Sequence, residues 1–161
     1  MAIHYHLKFD GIKGESQRDK HKGEIEIKSW NWAAQNLVSR TGGGLSGGTG
    51  IPTEVTFTKE IDTASPKLLE MCNNGKHIAN AVLTCSKSVG DKNPVDYLTL
   101  KFEEIAISSY QTGGAQGEDV GHESISFAFN KIDYDYKIQN KDGTLSSAGN
   151  TKGDYGAATF G

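Results

Sequence analysis

The sequence has little of what marks a nucleic-acid-binding or membrane-spanning protein. Its 161 residues have a formal net charge of −3 and no basic stripe, so we expect no nucleic acid as a partner. No apolar run approaches the roughly 20 residues that a membrane-spanning helix needs, so we expect no membrane insertion. Residues 1–11 lack a charged segment followed by an apolar one, which predicts no Sec-type signal peptide.

Residues that would mark a catalytic or metal site are also scarce. Cys72 and Cys85 have neither zinc nor redox spacing, so we expect two small buried apolar side chains in a protein of a reducing cytoplasm. His4 and His6 form an H-x-H pair on the polar face of a predicted strand, but no third metal ligand is evident. A G-x-S-x-G elbow is absent. We therefore predict no enzyme, no metal and no cofactor.

One segment carries a helix signal. Ser65 is the predicted N-cap, Pro66 the first helical residue, and Gly75 ends the helix. Its apolar stripe consists of Leu68, Leu69, Met71 and Cys72. Since one short helix cannot form a core, the rest of the chain must supply a sheet for it to cover.

The remaining chain has the alternating pattern of strands, predicted at residues 3–9, 24–32, 55–61, 78–88, 97–110 and 123–138. Lys59 is an exception on the apolar face of its strand. Apolar residues change parity near Lys28–Ser29, between Phe102 and Ile105, and between Phe129 and Ile132, which predicts three β-bulges. Such bends predict a mostly β fold, a small antiparallel β-barrel with one short α-helix.

Two glycine-rich segments interrupt this pattern. Residues 39–50 are too rich in glycine for a strand, which predicts a loop that is mobile or becomes ordered against another molecule. Residues 141–161 form a Gly/Ser/Asn-rich C-terminal tail with a composition typical of disorder in isolation. We assign residues 1–140 to the barrel and the tail to the same domain.

Short segments of this chain occur in the order and at the spacing of a known family. They are Gly14-Glu15-Ser16, Asp19-Lys20-His21, Glu24-Ile25, Ser29-Trp30-Asn31-Trp32, Phe57-Thr58-Lys59-Glu60-Ile61-Asp62, Ser65-Pro66-Lys67-Leu68, Asn74-Gly75-Lys76-His77, Tyr97-Leu98, Ile107-Ser108-Ser109, Gly113-Gly114, Glu123-Ser124-Ile125 and Tyr134-Asp135-Tyr136. From about residue 3 to 138 the set resembles the Hcp family, the tail-tube protein of type VI secretion systems.

The resemblance implies a phage tail-tube-like barrel of two antiparallel sheets with one helix, which assembles into a homohexameric ring with a wide pore. Stacked rings would form an inner tube that a contractile sheath propels, capped by a VgrG-type spike protein. The tube would convey or chaperone small effector proteins, without catalysis. The protein would begin in the bacterial cytoplasm and be secreted through the type VI apparatus without a cleaved signal peptide.

Two candidate sites follow from the resemblance. By position, the glycine-rich segment corresponds to the loop that reaches the neighbouring ring, namely Arg40, Thr41, Gly42, Gly43, Gly44, Leu45, Ser46, Gly47 and Gly48. Because ordering it costs entropy, we expect stable rings that stack weakly, and deletion of residues 42–50 should spare the ring. If Trp30 and Trp32 face the core, then Asn31 between them faces outward and is a candidate lumen residue.

Two other functions remain as alternatives. The first is a monomeric β-barrel that binds a small apolar ligand in a cavity lined by Trp30, Trp32, Phe127 and Phe129. The second is a hydrolase that uses His21 or His122 as its base. A monomeric mass would favour the former, and loss of activity on substitution of one histidine the latter.

Overall fold

The computed structural model describes residues 2–88 and 94–161, except for the side chain of Thr41. Within them the fold is mostly β with one α-helix, α1 (Ser65–Asn74), and a short 3-10 helix (Asp19–His21), which confirms the predicted class. The strands are β1 (Ala2–Phe9), β2 (Ile25–Ile27), β3 (Ser29–Asn31), β4 (Ala34–Asn36), β5 (Ser39–Thr41), β6 (Gly44–Ser46), β7 (Gly50–Pro52), β8 (Val55–Glu60), β9 (His77–Ser88), β10 (Val95–Gly113), β11 (His122–Ala128), β12 (Lys131–Gln139), β13 (Leu145–Asp154) and β14 (Thr159–Phe160).

The predicted helix is present, but its N-terminal cap differs from the prediction. Ser65 lies inside α1, and its hydroxyl oxygen accepts the backbone N–H of Asp62 at 2.9 Å. The Asp62 carboxylate instead accepts the N–H of Ala64 at 3.0 Å and serves the helix start. At the other end Gly75 has φ 66°, the left-handed conformation that the sequence predicted.

One continuous antiparallel sheet contains most of the strands, rather than two separate sheets. Its main path runs β14-β13-β12-β10-β11-β8-β3, and β9, β1 and β2 follow one another from the other edge of β10. Between the described strands the pairing does not complete a circuit, since β2 pairs with β1 and β3 with β8. The closed barrel of the prediction is therefore not formed by the strand pairs of this structure.

The first parity change coincides with a change of strand partner. At Lys28 the chain leaves β1 and joins β8, and the Lys28 N–H donates to the carbonyl of Thr58 at 2.7 Å. The predicted strand 24–32 is therefore divided into β2 and β3. The interruption places Ile27 and the partly buried Trp30 on the core side, as the parity change predicted.

The other two parity changes form one corner. Glu104 has φ 59°, and at this residue the buried positions of β10 change parity, since Phe102 and Ile105 are both buried. The register between β10 and β9 does not shift there. Opposite it, the predicted strand 123–138 is divided into β11 and β12 at Phe129–Asn130. The Asn130 N–H donates to the Glu103 carbonyl at 3.1 Å. Thus β10 pairs first with β12 and then with β11.

The core consists of buried side chains of the bent sheet, joined by Leu68 and Met71 of α1. The rings of Phe9, Phe57 and Phe102 surround Phe127, with centroid distances of 5.3–6.2 Å, and all four are buried. Such clusters of large aromatic side chains dominate the burial of apolar surface. Cys85 is buried as predicted, and burial raises the pKa of its thiol to about 12. Cys72 is half-buried at the edge of the core.

The C-terminal segment is not the disordered tail that its composition suggested. Strand β13 pairs with β12 from Leu145 to Asp154, and β14 pairs with its end. The ring of Phe160 lies directly over Gly153, so a Cβ atom at this position would overlap the ring. This close approach requires glycine at position 153. Residues 145–160 thus extend the main sheet.

Candidate assembly surfaces

The glycine-rich segment is the middle of an extended β-hairpin, which we call the arm (residues 34–52). Strand β4 pairs with β7 at its base, and β5 pairs with β6 at its tip. The expectation that this segment is too rich in glycine for strands is therefore wrong. Gly42 and Gly43 form the tip with φ of 62° and 81°, and the two-residue hairpin turn that matches strand twist needs positive φ at both positions.

Side chains fix the two joints of the arm. The amide of Asn36 donates to the carbonyl of Gly48 at 2.5 Å and accepts its N–H at 2.8 Å, so it replaces a ladder pair between the base and the tip. Where the arm leaves the sheet, the Thr53 hydroxyl accepts the N–H of Ala33 at 2.8 Å. At the base of the arm, a Cβ atom added to Gly50 would lie 3.9 Å from the ring of Tyr155. The arm is therefore a defined element with a fixed base.

The arm exposes apolar side chains that nothing in the described chain covers. Their exposed fractions are 71% for Leu37, 53% for Val38, 72% for Leu45 and 51% for Ile51. Side chains of this size favour burial by about 1.5–3 kcal/mol each. Four of them on one narrow hairpin form a surface suited to contact with another protein. Leu45 belongs to the predicted stacking loop, whereas Leu37, Val38 and Ile51 lie outside it.

A second surface lies on the outer side of β3, β8, β11 and β10, and we call it the hydroxyl face. Strand register aligns two rows of uncharged polar residues across these strands. The rows are Asn31-Thr56-Ser126-Ser109 and Ser29-Thr58-Ser124-Gln111. Ser29 and Thr58 are hydrogen-bonded at 2.6 Å, and Thr56 and Ser126 at 2.9 Å. The face is a polar wall without charged side chains in its two central rows.

Asn31 lies in this face and is exposed, as its parity predicted. The sequence reasoning identified Asn31 alone and missed its seven neighbours. The signal was present in the alternation of Ser and Thr with apolar residues in β8 and β11. Only the strand order shows that these alternations lie side by side, because β8 and β11 are more than 60 residues apart in the chain.

Beneath this sheet lies a buried ion pair. The ammonium of Lys59 donates to the carboxylate of Glu123 at 2.5 Å, and both side chains are 0% exposed. Lys59 also donates to Asp62 at 2.7 Å, and the hydroxyls of Ser65 and Tyr110 donate to Glu123. A buried charge requires such a set of partners. The network attaches the start of α1 to β8, β10 and β11.

A pair of histidines joins β1 to the 3-10 helix. The rings of His6 and His21 are stacked, with centroids 4.6 Å apart and planes 10° apart. His21 binds Glu24 at 2.9 Å and Asp96 at 3.0 Å through its two ring nitrogens. The expectation that His6 lies on the polar face of β1 is wrong, since its side chain is 1% exposed. The stacked ring of His21 shields the His6 ring from solvent.

The pKa values of the two histidines shift in opposite directions. Burial, followed by the charges of His21 and Arg18, lowers the pKa of His6 to about 4. Burial also acts to lower the pKa of His21, but hydrogen bonds with Asp96 and Glu24 outweigh it and raise that pKa. The surroundings therefore favour the charged form of His21 and disfavour that of His6.

We expect this pair to make the fold sensitive to acid. Between pH 6.5 and about 4 the unfolded chain binds a proton at His6 that the folded chain does not, so stability falls as pH falls. The raised pKa of His21 has the opposite effect, but only above the pKa of His21 in the unfolded chain. Below that pH the stabilisation from His21 is already complete and no longer increases as pH falls. His6→Phe, which keeps a stacked ring, should recover about 1–3 kcal/mol at pH 4.5 and less at pH 7 in urea unfolding. An equal effect of the substitution at both pH values would contradict this assignment.

The residues of the alternative functions are engaged in other contacts. Phe127 is packed within the core rings, so it lines no ligand cavity together with Trp30 and Trp32. Both nitrogens of His21 are bound to carboxylates, and His122 is exposed and paired with Glu118 at 2.6 Å. Within residues 2–88 and 94–161 there is no cluster of metal ligands and no helix long and apolar enough to cross a membrane.

Comparison with known proteins supplies an independent assignment. Residues 6–136 match the family described as "Type VI secretion system effector, Hcp". The chain is 37% identical over 144 residues to "Protein hcp1" of Pseudomonas aeruginosa, covering 89% of this chain and 88% of that protein. A solved "type six secretion system protein" shares 30% identity with a TM-score of 0.92, covering 99% of this chain and 100% of the other. Hcp1 of Salmonella typhimurium shares 34% identity with a TM-score of 0.79, covering 98% and 97%.

Proposed function

Because this chain belongs to the Hcp family of type VI secretion proteins, we propose that six copies form a ring and that the rings stack into the inner tube of the secretion machine. The observation that carries the proposal is the family match over residues 6–136, together with similarity to the Salmonella Hcp1 structure over nearly the whole chain. As a member of this family the protein is a structural component of secretion and not an enzyme.

A ring requires each copy to present two different surfaces that fit each other. The bent sheet supplies a rigid body for such contacts. In the ring we expect β2 and β3 to act as one bent strand through Lys28, which would close the barrel between β1 and β8. Support comes from the hydrogen bond of the Lys28 N–H to Thr58, which continues the pairing across the gap.

We assign the hydroxyl face to the lumen. A conduit for proteins of varied charge should bind none of them strongly. The two rows of Ser, Thr, Asn and Gln side chains meet this requirement because they contain no charged side chain and no large apolar patch. Asn31 lies at the β3 end of the row that continues through Thr56 and Ser126. The proposed lumen surface therefore covers the outer side of four strands, whereas the sequence offered Asn31 as the single candidate.

We assign the arm to contact between stacked rings. It projects from the sheet at Ala33 and Thr53, and it carries four exposed apolar side chains. Its backbone is already paired, so docking costs less conformational entropy than ordering a flexible loop would. We therefore expect rings to stack more strongly than they would through a flexible glycine-rich loop.

The same assignment implies the remaining partners and the route of the protein. The finished tube would contact a VgrG-type spike protein at its tip and the sheath proteins along its outer surface, with small effectors inside. The chain would assemble in the bacterial cytoplasm and leave through the type VI apparatus.

We expect the purified protein to have a solution mass near 104 kDa, six times the 17.4 kDa chain. Light scattering behind size exclusion gives this mass, and negative-stain images should contain rings. Glu26, which is exposed on β2, can be changed to Gln as a matched surface control that leaves the mass unaltered. A monomer at high concentration would remove the tube assignment and leave the fold intact.

A further inference from the structure

The arm and the loop before β11 lie at opposite ends of the hydroxyl face. Ala33 and Thr53 join the arm to β3 and β8, and β8 then continues for 6 residues, or roughly 20 Å, to Glu60. There Glu60 pairs with His122, the first residue of β11. We call this the far end (residues 60–61 and 114–122). Since head-to-tail contacts that do not close on themselves generate an open filament, the arm of one ring in a stacked tube meets the far end of the next ring.

The far end carries two exposed apolar side chains, Ile61 and Val120. The N–H of Ile61 donates to the carbonyl of Gly121 at 3.0 Å. The Ile61 side chain lies over Gly121, since a Cβ atom added to this glycine would be 2.6 Å from Cδ1 of Ile61. Val120 directly precedes the same glycine in the chain. The far end therefore presents a small apolar surface that the described chain leaves uncovered.

The charges of the arm and of the far end are complementary. Arg40 is the single charged residue in the sequence of the arm, and it is exposed. At the far end Glu118 is paired with His122 at 2.6 Å, whereas the exposed Asp119 has no ion-pair partner within the described ranges. A mostly apolar hairpin with one positive charge thus fits an apolar surface beside one unpaired negative charge.

Other exposed apolar side chains of the sheet have basic neighbours. Ile3 on β1 pairs with Lys87 on β9, and Ile138 directly follows Lys137 in β12. A positive charge on the arm would be repelled at both places, because like charges brought together across an interface disfavour the contact. Charge therefore favours the far end over β1 and β12 as the surface that receives the arm.

We propose that the arm of one copy docks on the far end of a second copy in the next ring, with Leu45 against Ile61 and Val120, and with Arg40 paired to Asp119. The proposal rests on the stacked tube proposed above and names the surface that receives its arm. Residues 34–42 form one side of the arm and span roughly 30 Å when extended, which exceeds the length of β8. The tip can therefore reach the next ring while the base remains on its own ring.

The test is an exchange of charges across the contact, followed by sedimentation velocity of intact rings at low ionic strength. Arg40→Glu should weaken association between rings at least tenfold, because it brings two negative charges together at every contact around the ring at once. Asp119→Arg should weaken association as well, by bringing two positive charges together. The double variant Arg40→Glu/Asp119→Arg restores opposite charges and should return association to within about threefold of that of the parent chain.

The matched control is Arg40→Glu/Glu103→Arg, which introduces the same arginine at an exposed position of β10 outside the far end. It should stack as weakly as Arg40→Glu alone. Ile61→Gln should also weaken stacking. Weaker stacking in Ile138→Gln together with normal stacking in Ile61→Gln would place the receiving surface on β12 and overturn the proposal.

Light scattering of the same samples measures the ring itself. A double variant that forms rings but does not recover stacking would overturn the contact, as would normal stacking in Arg40→Glu or parent rings that do not associate across a concentration series. Each of these results leaves the ring proposal intact, whereas a monomeric parent chain would remove the ring and, with it, the contact.

Discussion

Replacing Lys59 by Met is expected to lower the free energy of unfolding by about 3–5 kcal/mol, because it leaves the carboxylate of Glu123 buried without its cation. Glu123 is 0% exposed, and its remaining donors are the hydroxyls of Ser65 and Tyr110. Those neutral donors do not replace a full positive charge. Urea unfolding followed by circular dichroism at pH 7 measures the effect.

The double variant Lys59→Met/Glu123→Gln separates the loss of one charge from the loss of the network. With both charges removed, its stability should return to within about 1–2 kcal/mol of the parent chain, since burying the pair had a large desolvation cost. Glu123→Gln retains an acceptor for Ser65 and Tyr110. If the double variant loses as much stability as Lys59→Met and Glu123→Gln lose together, the two side chains are not energetically coupled.

The exposed ion pair between Lys28 and Glu60 is the matched control. Its two side chains are 55% and 51% exposed, and it lies on the same part of the sheet. Solvent screens such a pair, so Lys28→Met should leave the free energy of unfolding almost unchanged. A large loss in this variant would mean that the methionine itself, rather than burial of the charge, explains the result.

Leu37→Gln/Leu45→Gln should weaken association between rings at least tenfold and leave each ring intact. These two side chains are 71% and 72% exposed in the single chain, so the substitutions remove apolar surface without affecting the core. Each leucine that is buried on contact contributes about 1.5–3 kcal/mol. Sedimentation velocity measures the fraction of stacked particles, and negative-stain images give the tube length.

A leucine outside the arm provides the control for this experiment. Leu69 on α1 is 43% exposed, and Leu69→Gln should leave stacking unchanged. Loss of the ring itself in the arm variant would refute the assignment of the arm to contact between rings. So would normal stacking in that variant, because the apolar side chains would then contribute nothing.

The pairing within the arm also changes how it should be shortened. Deleting residues 42–50 would remove Gly50, which pairs with Asn36 at the base. Deleting residues 38–47 keeps that pair and joins the strands through Leu37, Gly48 and Thr49. We expect this shorter arm to preserve the ring and prevent stacking, as measured by the same sedimentation experiment.

Local sequence signals determined the elements whose causes lie within a few residues. Gly75 ended the helix where it was predicted to end, because a residue without a Cβ adopts the left-handed conformation at little cost. Alternation identified the buried residues of β8, β10 and β11, and parity changes located the corners at Lys28 and Glu104. The ordered segments were also sufficient to identify the family.

Contacts between distant residues decided what local signals could not. Lys59 was an exception on an apolar face until the register placed Glu123 directly opposite it. His6 was expected in solvent, but the ring of His21 covers it. Glycines at the tip of the arm suggested a loop, yet β5 and β6 pair across Gly42 and Gly43. In each case the deciding partner lies elsewhere in the chain or across a turn.

The sequence by itself therefore determined the class of fold, the helix, the faces of the strands and the family. Alternation and capping depend on neighbours in the chain, so they can be recognised without knowing the fold. Tertiary structure alone decided the buried ion pair, the hydroxyl face and the stacking of His6 on His21. These depend on strand order and register, and a shift of register by one residue would turn Lys59 and Thr58 to the opposite sides of the sheet.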